Sequence, residues 1–184
     1  MVGPTEFILR GLFLNTTSQK HHMDLWRVVT PLHRPLDGIT LTYGNIISGP
    51  DNTRVKVDDL QRAAEVVEQY ARNEVGPLRS LQAPAQFLQH IAWRGGSESE
   101  PVQLDFALTH FLVGNVSEAL RRLKLLTTRQ ESFPVHRRIA EQALAALEYS
   151  PSALQKLIDG WRDANVAAFG LEATVVKRSG LRLV

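Results

Sequence analysis

The chain contains no cysteine. That absence excludes disulfides, thiolate zinc sites and cysteine nucleophiles, and it suits a reducing compartment without requiring one. Long apolar runs are missing too, since none approaches the roughly 18 residues of a membrane span. Residues 1–15 carry Glu6 and Arg10 inside their apolar stretch, with no basic segment ahead of it, which is unlike a secretory leader. A cytoplasmic protein is expected. An excess of one charge sign is also lacking: 21 Lys and Arg stand against 19 Asp and Glu, for a net charge of +2. So slight a bias neither demands nor forbids a polyanionic partner.

Catalytic signatures are absent as well. There is no G-x-S-x-G, and Gly95-Gly96 is not followed by the Lys-Ser/Thr of a phosphate loop. Six histidines are present, but the adjacent pair His21-His22 would point to opposite faces of a strand, and only His22 has an acidic residue, Asp24, two positions away. No metal, cofactor or catalytic residue is therefore assigned. An enzyme with a site around His22, Asp24 and His33 stands as the third reading.

What is present is an ordinary globular composition: 184 residues, 43% apolar and 22% charged. Such a chain makes one domain and buries about 70% of its unfolded surface. Its clearest feature is a change of periodicity near residue 58. Residues 1–57 read as mainly β, 58–170 as helical, and 171–184 as returning strands or a tail. The order predicts an α+β domain, with a small antiparallel sheet packed on five to six helices.

Thr5 to Leu14 has a short helical pattern. Lys20–Leu32 alternates with apolar residues on both faces, as a central strand covered on both sides would. Asp37-Gly38 turns the chain into a second strand, Ile39–Ile47, and Thr53–Val57 offers a third at the edge. Asp58 caps a long helix that Gly76-Pro77 ends, and Ala83-Pro84 opens another that runs to Gly95-Gly96. Pro101 starts a helix closed by Gly114-Asn115, Ser117 caps the next, and the pair forms an αα-hairpin. Helices over Val135–Leu147 and from Pro151 to Ala168 follow, with close packing anticipated at Gly160 inside the second. The hairpin "LDFALTHFLVGNVSEALRRLKLL" has the small/large pattern of a tetratricopeptide-like unit. Without a matching repeat it reads as core and not as a binding groove.

Two surfaces are candidates for binding. Trp93 and Arg94 at a helix end, with Glu98 and Glu100 in the polar loop beyond, form a partner-binding candidate, since an exposed Trp marks a hot spot. Trp26, inside the central-strand pattern, reads as core. The second candidate is basic: Arg121, Arg122, Lys124, Arg129, Arg137 and Arg138 fall within 18 residues, opposed there only by Glu131. If Arg121, Arg122, Arg137 and Arg138 converge they can hold phosphate, but Phe133 is the lone aromatic available for base stacking, which disfavours nucleic acid.

The ordered segments "LWRVVTPLHRP", "ITLTYGNII", "VGPLRSLQAPAQFLQHI" and the hairpin above resemble small bacterial α+β proteins of unassigned function, some of them immunity proteins that accompany toxins. The resemblance covers residues 20–127. It implies a stoichiometric binder of another protein, such as a toxin, and carries over no functional residue. A basic nuclease is a poor target for a slightly basic chain, whereas a membrane-active, peptidoglycan-directed or nucleotide-consuming toxin is less disfavoured. The leading expectation is thus a non-enzymatic protein-binding domain, an immunity or regulatory partner. Binding of nucleic acid or a phosphorylated ligand is the second reading. The oligomeric state is not legible.

Overall fold

A computed structural model describes residues 7–16, 22–36, 43, 45–46, 55–56, 60–92, 95, 97, 99–129 and 133–171. The sheet is built on β1 (Ile8–Thr16) and β2 (His22–Pro31), an antiparallel pair in register from Ile8 opposite Pro31 to Thr16 opposite Met23. Two short strands, β3 (Asn45–Ile46) and β4 (Val55–Lys56), both pair antiparallel with β2, at Trp26–Arg27 and His22–Met23. β2 is therefore central, and its buried residues Leu25, Val28, Val29 and Thr30 include both faces, as its alternation predicts. The N-terminal segment is a strand and not the helix its spacing suggests. Short apolar runs fit either period, and nine residues of pairing with β2 outweigh a marginal isolated helix.

Six helices follow among the described residues: α1 (Leu60–Ser80), α2 (Pro84–Ile91), α3 (Glu100–Leu112), α4 (Val116–Thr128), α5 (Pro134–Tyr149) and α6 (Pro151–Ala168). The α+β class and the helical hairpin stand. Helix α1 runs through Gly76-Pro77 where a stop was expected. Pro77 lies in its last turn and removes only one backbone bond there. Two of the terminal carbonyls are met from the sheet, because the Arg10 guanidinium donates to Leu78 O and Arg79 O, and to Leu81 O just beyond; Pro77 O and Ser80 O accept locally from Ser80 Oγ and Gln82 N.

The cap of α4 is Asn115 and not Ser117: its side chain accepts the Glu118 N–H at 3.3 Å, after Gly114 turns the chain at φ +84°. Ser150 caps α6 as anticipated, accepting the Ala153 N–H at 3.1 Å. Gly160, however, is exposed, and no described atom lies within 4 Å of where its Cβ would stand, so close packing does not explain it. The expected Asp58 cap and the C-terminal strands fall outside the described residues.

Helix α3 is the centre of the molecule, with ten of its thirteen residues buried. On one side Leu104, Ala107, Leu108 and Phe111 join α4, α5 and α6 in one core. On the other, Val102 and Phe106 meet Ile8, Val29, Leu78, Phe87 and Ile91 from the sheet, α1 and α2. The outer part of the sheet packs Leu25 on Ala63 of α1. Helices α3–α6 form two successive hairpins, and the sheet side of the same chain covers the face of α3 that a repeat protein leaves open. No described helix is long and apolar enough to cross a membrane.

Candidate functional site

The start of α3 and Arg122 of α4 meet at one end of the helical layer. Gln103, on the first turns of α3, is buried, and its amide nitrogen donates to Ser97 O and, at 3.4 Å, to Gly95 O. Its amide oxygen accepts from Arg122 Nη1 of α4. The Arg122 guanidinium stands 4.9 Å above the Phe106 ring, a cation–π contact that fixes its plane. Glycine suits position 95, because a Cβ there would stand 3.1 Å from Ala92 O and 3.7 Å from the Phe106 ring. Gly95 and Ser97 are thus held by their carbonyls, through Gln103, against α4.

Glu100 makes the second connection. It was expected in a solvated loop, but it is the first residue of α3 and only 7% exposed. Its carboxylate accepts the Phe133 N–H at 2.9 Å and lies 3.3 Å from His136 Nδ1. The Phe133 ring sits edge-on to His136 and is 69% exposed, so an aromatic side chain is displayed on a fixed backbone beside the α3 N-terminus. Of the other partner-binding candidates, Trp93, Arg94 and Glu98 lie outside the described residues.

The basic cluster does not form one anion cradle. Glu118, three residues before the basic stretch begins, receives Arg121 Nε and Nη2 and Arg122 Nε, each at 2.7 Å. These hydrogen bonds, from Arg121 first and then Arg122, pull the Glu118 carboxyl down to about 2, against some opposition from burial. Arg137 donates to Thr127 O at 3.0 Å, nine residues further along α4, about 14 Å on a helix. Arg138 is exposed and makes no ion pair among the described residues. The four arginines therefore divide into two groups: Arg121 and Arg122 share the Glu118 carboxylate, and Arg137 lies 3.4 Å from Glu141 beside Arg138.

A third cluster escaped the sequence reading. Asp105, fully buried on α3, accepts Arg34 Nε at 2.6 Å and the Tyr43 hydroxyl at 3.0 Å. His33 Nε2 lies 3.3 Å from Thr109 Oγ1 and 4.0 Å from Asp105 Oδ1. Asn165 of α6 donates to Leu32 O and Arg34 O. Phe87 closes the group with its ring edge-on to both His33 and Tyr43. The signals available were an aspartate inside the apolar run of α3 and an Arg-Pro pair after the strand. Both are ambiguous until the partners, some 70 residues apart, are known.

An Asp, a His and a Thr in contact invite comparison with a nucleophile triad, but the geometry is wrong for one. The hydroxyl and the carboxylate approach the same ring nitrogen, whereas a relay needs one on each side of the imidazole. The Thr109 hydroxyl donates to Asp105 O of its own helix. Burial pushes His33 down to about 4, with Arg34 adding to the shift and Asp105 opposing it, so the ring is neutral near pH 7. His22 and Asp24 lie at the opposite end of β2, nine or more residues away, about 30 Å along a strand. The grouping of His22, Asp24 and His33 into one site is therefore excluded. Among the described residues no three His, Asp or Glu side chains gather to hold a metal.

No family model, no curated protein and no solved structure matches this chain.

Proposed function

We propose that the chain is a non-enzymatic protein-binding domain, an immunity or regulatory partner that binds another protein stoichiometrically through the end of its helical layer. One observation carries the reading: buried Gln103 grips the backbone carbonyls of Gly95 and Ser97 while Arg122 holds Gln103 from behind. Gly95 and Ser97, fixed through their carbonyls, lose little entropy on binding. Beside it stands Phe133, an exposed aromatic of the kind that anchors interfaces. The buried ion pair at Asp105 supports the same reading by its position, since it lies wholly inside the domain and offers no group to a substrate. In this role the protein works in the cytoplasm, where a cysteine-free chain needs no oxidative folding. The phosphate alternative is weaker, because Glu118 would have to be displaced from Arg121 and Arg122 before an anion could enter.

The test is affinity capture from the source cell with tagged wild type, Gln103→Leu and Phe133→Ala, washed at moderate and high salt and identified by mass spectrometry. A single stoichiometric protein that survives high salt with wild type and is depleted about tenfold or more with both variants is the expected result. A partner held equally by all three, or nucleic acid released by salt, would sink the reading.

A further inference from the structure

Helix α5 is buried along one side by Ile139, Ala140, Ala143 and Leu147 and is open along the other. The open side carries Val135, Arg138, Gln142, Ala145 and Tyr149, spaced by three and four residues so that they line one stripe. Tyr149 is 87% exposed, more than any other large apolar side chain described, and Val135 at the far end is 40% exposed. Charge along the helix is graded by sign: Arg137 and Arg138 lie near its start, Glu141 stands mid-helix 3.4 Å from Arg137, and Glu148 lies in the last turn. Among the described residues Glu148 has one neighbour of opposite charge, Lys124 at 3.8 Å, and both side chains are 55% exposed, so that contact is screened and easily exchanged.

We infer that this face is self-complementary and that a second copy of the chain docks on it, α5 antiparallel to α5. A two-fold pairing centred on Gln142 sets Val135 against the partner's Tyr149 at both ends. The same register puts Arg138 opposite the partner's Ala146, within two residues, about 3 Å along the axis, of the partner's Glu148. Flanking charges of this kind select helix orientation. A parallel pair would oppose Arg138 to Arg138 and Glu148 to Glu148, and is repelled. The contact is small. Sixteen residues make a strip about 24 Å long and 10 Å wide. That falls short of the ~800 Å² per partner of a stable interface, so the dimer is weak and forms only at high concentration. This inference stands apart from the binding role proposed above, which uses the α2–α3 segment.

Sedimentation equilibrium on the full chain, from about 1 µM to about 1 mM at low salt, reads the association directly. The expected result is a monomer–dimer equilibrium whose Kd rises about tenfold or more in Arg138→Glu and in Glu148→Arg taken singly. An equimolar mixture of the two variants should dimerise again, because each reversed charge then meets its opposite. A chain monomeric throughout the range, a dimer indifferent to both reversals, or a mixture that fails to recover would each overturn the proposal.

Discussion

Arg34 and Asp105 are 71 positions apart in sequence and joined at 2.6 Å in the interior, Arg34 at 6% exposure and Asp105 at none. The pair ties the end of the central strand to the central helix, and the Tyr43 hydroxyl donates to the same carboxylate. A buried carboxylate so held is safe only while its partners remain. Arg34→Met is expected to destabilise the fold by about 3–5 kcal/mol in urea unfolding, since it strands a buried charge. Replacing both, as Arg34→Met with Asp105→Leu, should recover a large part of that loss. A double variant no better than the single one would show the pair to be stabilising in its own right.

Acid should weaken the protein through His33. Its folded value, near 4, lies below the ordinary 6.5, so the unfolded chain binds the proton more readily. Stability from the neutral ring is complete above about pH 6.5 and is lost progressively down to about pH 4, a total of the order of 3 kcal/mol. Burial also lowers His90 and His110, which act in the same direction. His33→Gln should flatten the pH dependence of the unfolding midpoint between pH 6.5 and 4. An unchanged slope would remove His33 as its cause.

Glu118 predicts a separate, lower window. Its carboxyl is held at about 2 by Arg121 and Arg122, so its contribution is full above about pH 4.5 and fades as pH falls towards 2. The site is partly open to solvent, and salt should reduce the effect. Glu118→Gln should also loosen Arg122 behind Gln103, which hydrogen exchange at residues 95–99 would detect as faster exchange. Unaltered exchange there would separate the two contacts.

Two glycines should respond oppositely to alanine. Gly160 sits in a helix with open space around it, so Gly160→Ala is expected to stabilise by about 0.5–1 kcal/mol. Gly114 turns the chain at φ +84°, where a Cβ is strained, and Gly114→Ala should cost about 1 kcal/mol or more. Thermal unfolding of both variants in one buffer decides the matter by the sign of each shift.

Arg10→Met tests the junction of sheet and helix. It removes the donor shared by three carbonyls at the end of α1 and should cost about 1–3 kcal/mol. Faster amide exchange confined to the last turns of α1 would accompany it. A uniform loss of protection would instead mean that the end of α1 opens only with the whole domain.

Much of the architecture is readable along the chain because it is local. The Ser150-Pro151 start of α6, the turn at Gly114 and the apolar stripes of α3–α6 are set by residues within a few positions of one another. Local rules mislead where a distant partner takes over. Residues 8–16 are a strand because β2 lies alongside, and α1 passes Gly76-Pro77 because Arg10 arrives from the sheet to meet two of its last carbonyls. A carboxylate in a polar loop reads as solvated, yet Glu100 is buried because Phe133 and His136, more than thirty residues later, donate to it.

The sequence alone determined the class of fold, the absence of thiol chemistry, and where most helices begin, since propensity, capping and hydrophobic period act over a few residues. Tertiary structure decided which charges meet. It paired Arg34 with Asp105, spent Arg121 and Arg122 on Glu118, separated His22 from His33, and joined Gly95 and Ser97 to α4 through Gln103. The reason is physical: an ion pair or a buried amide is defined by approach within about 3 Å, and chain spacing says nothing of that until the core has closed.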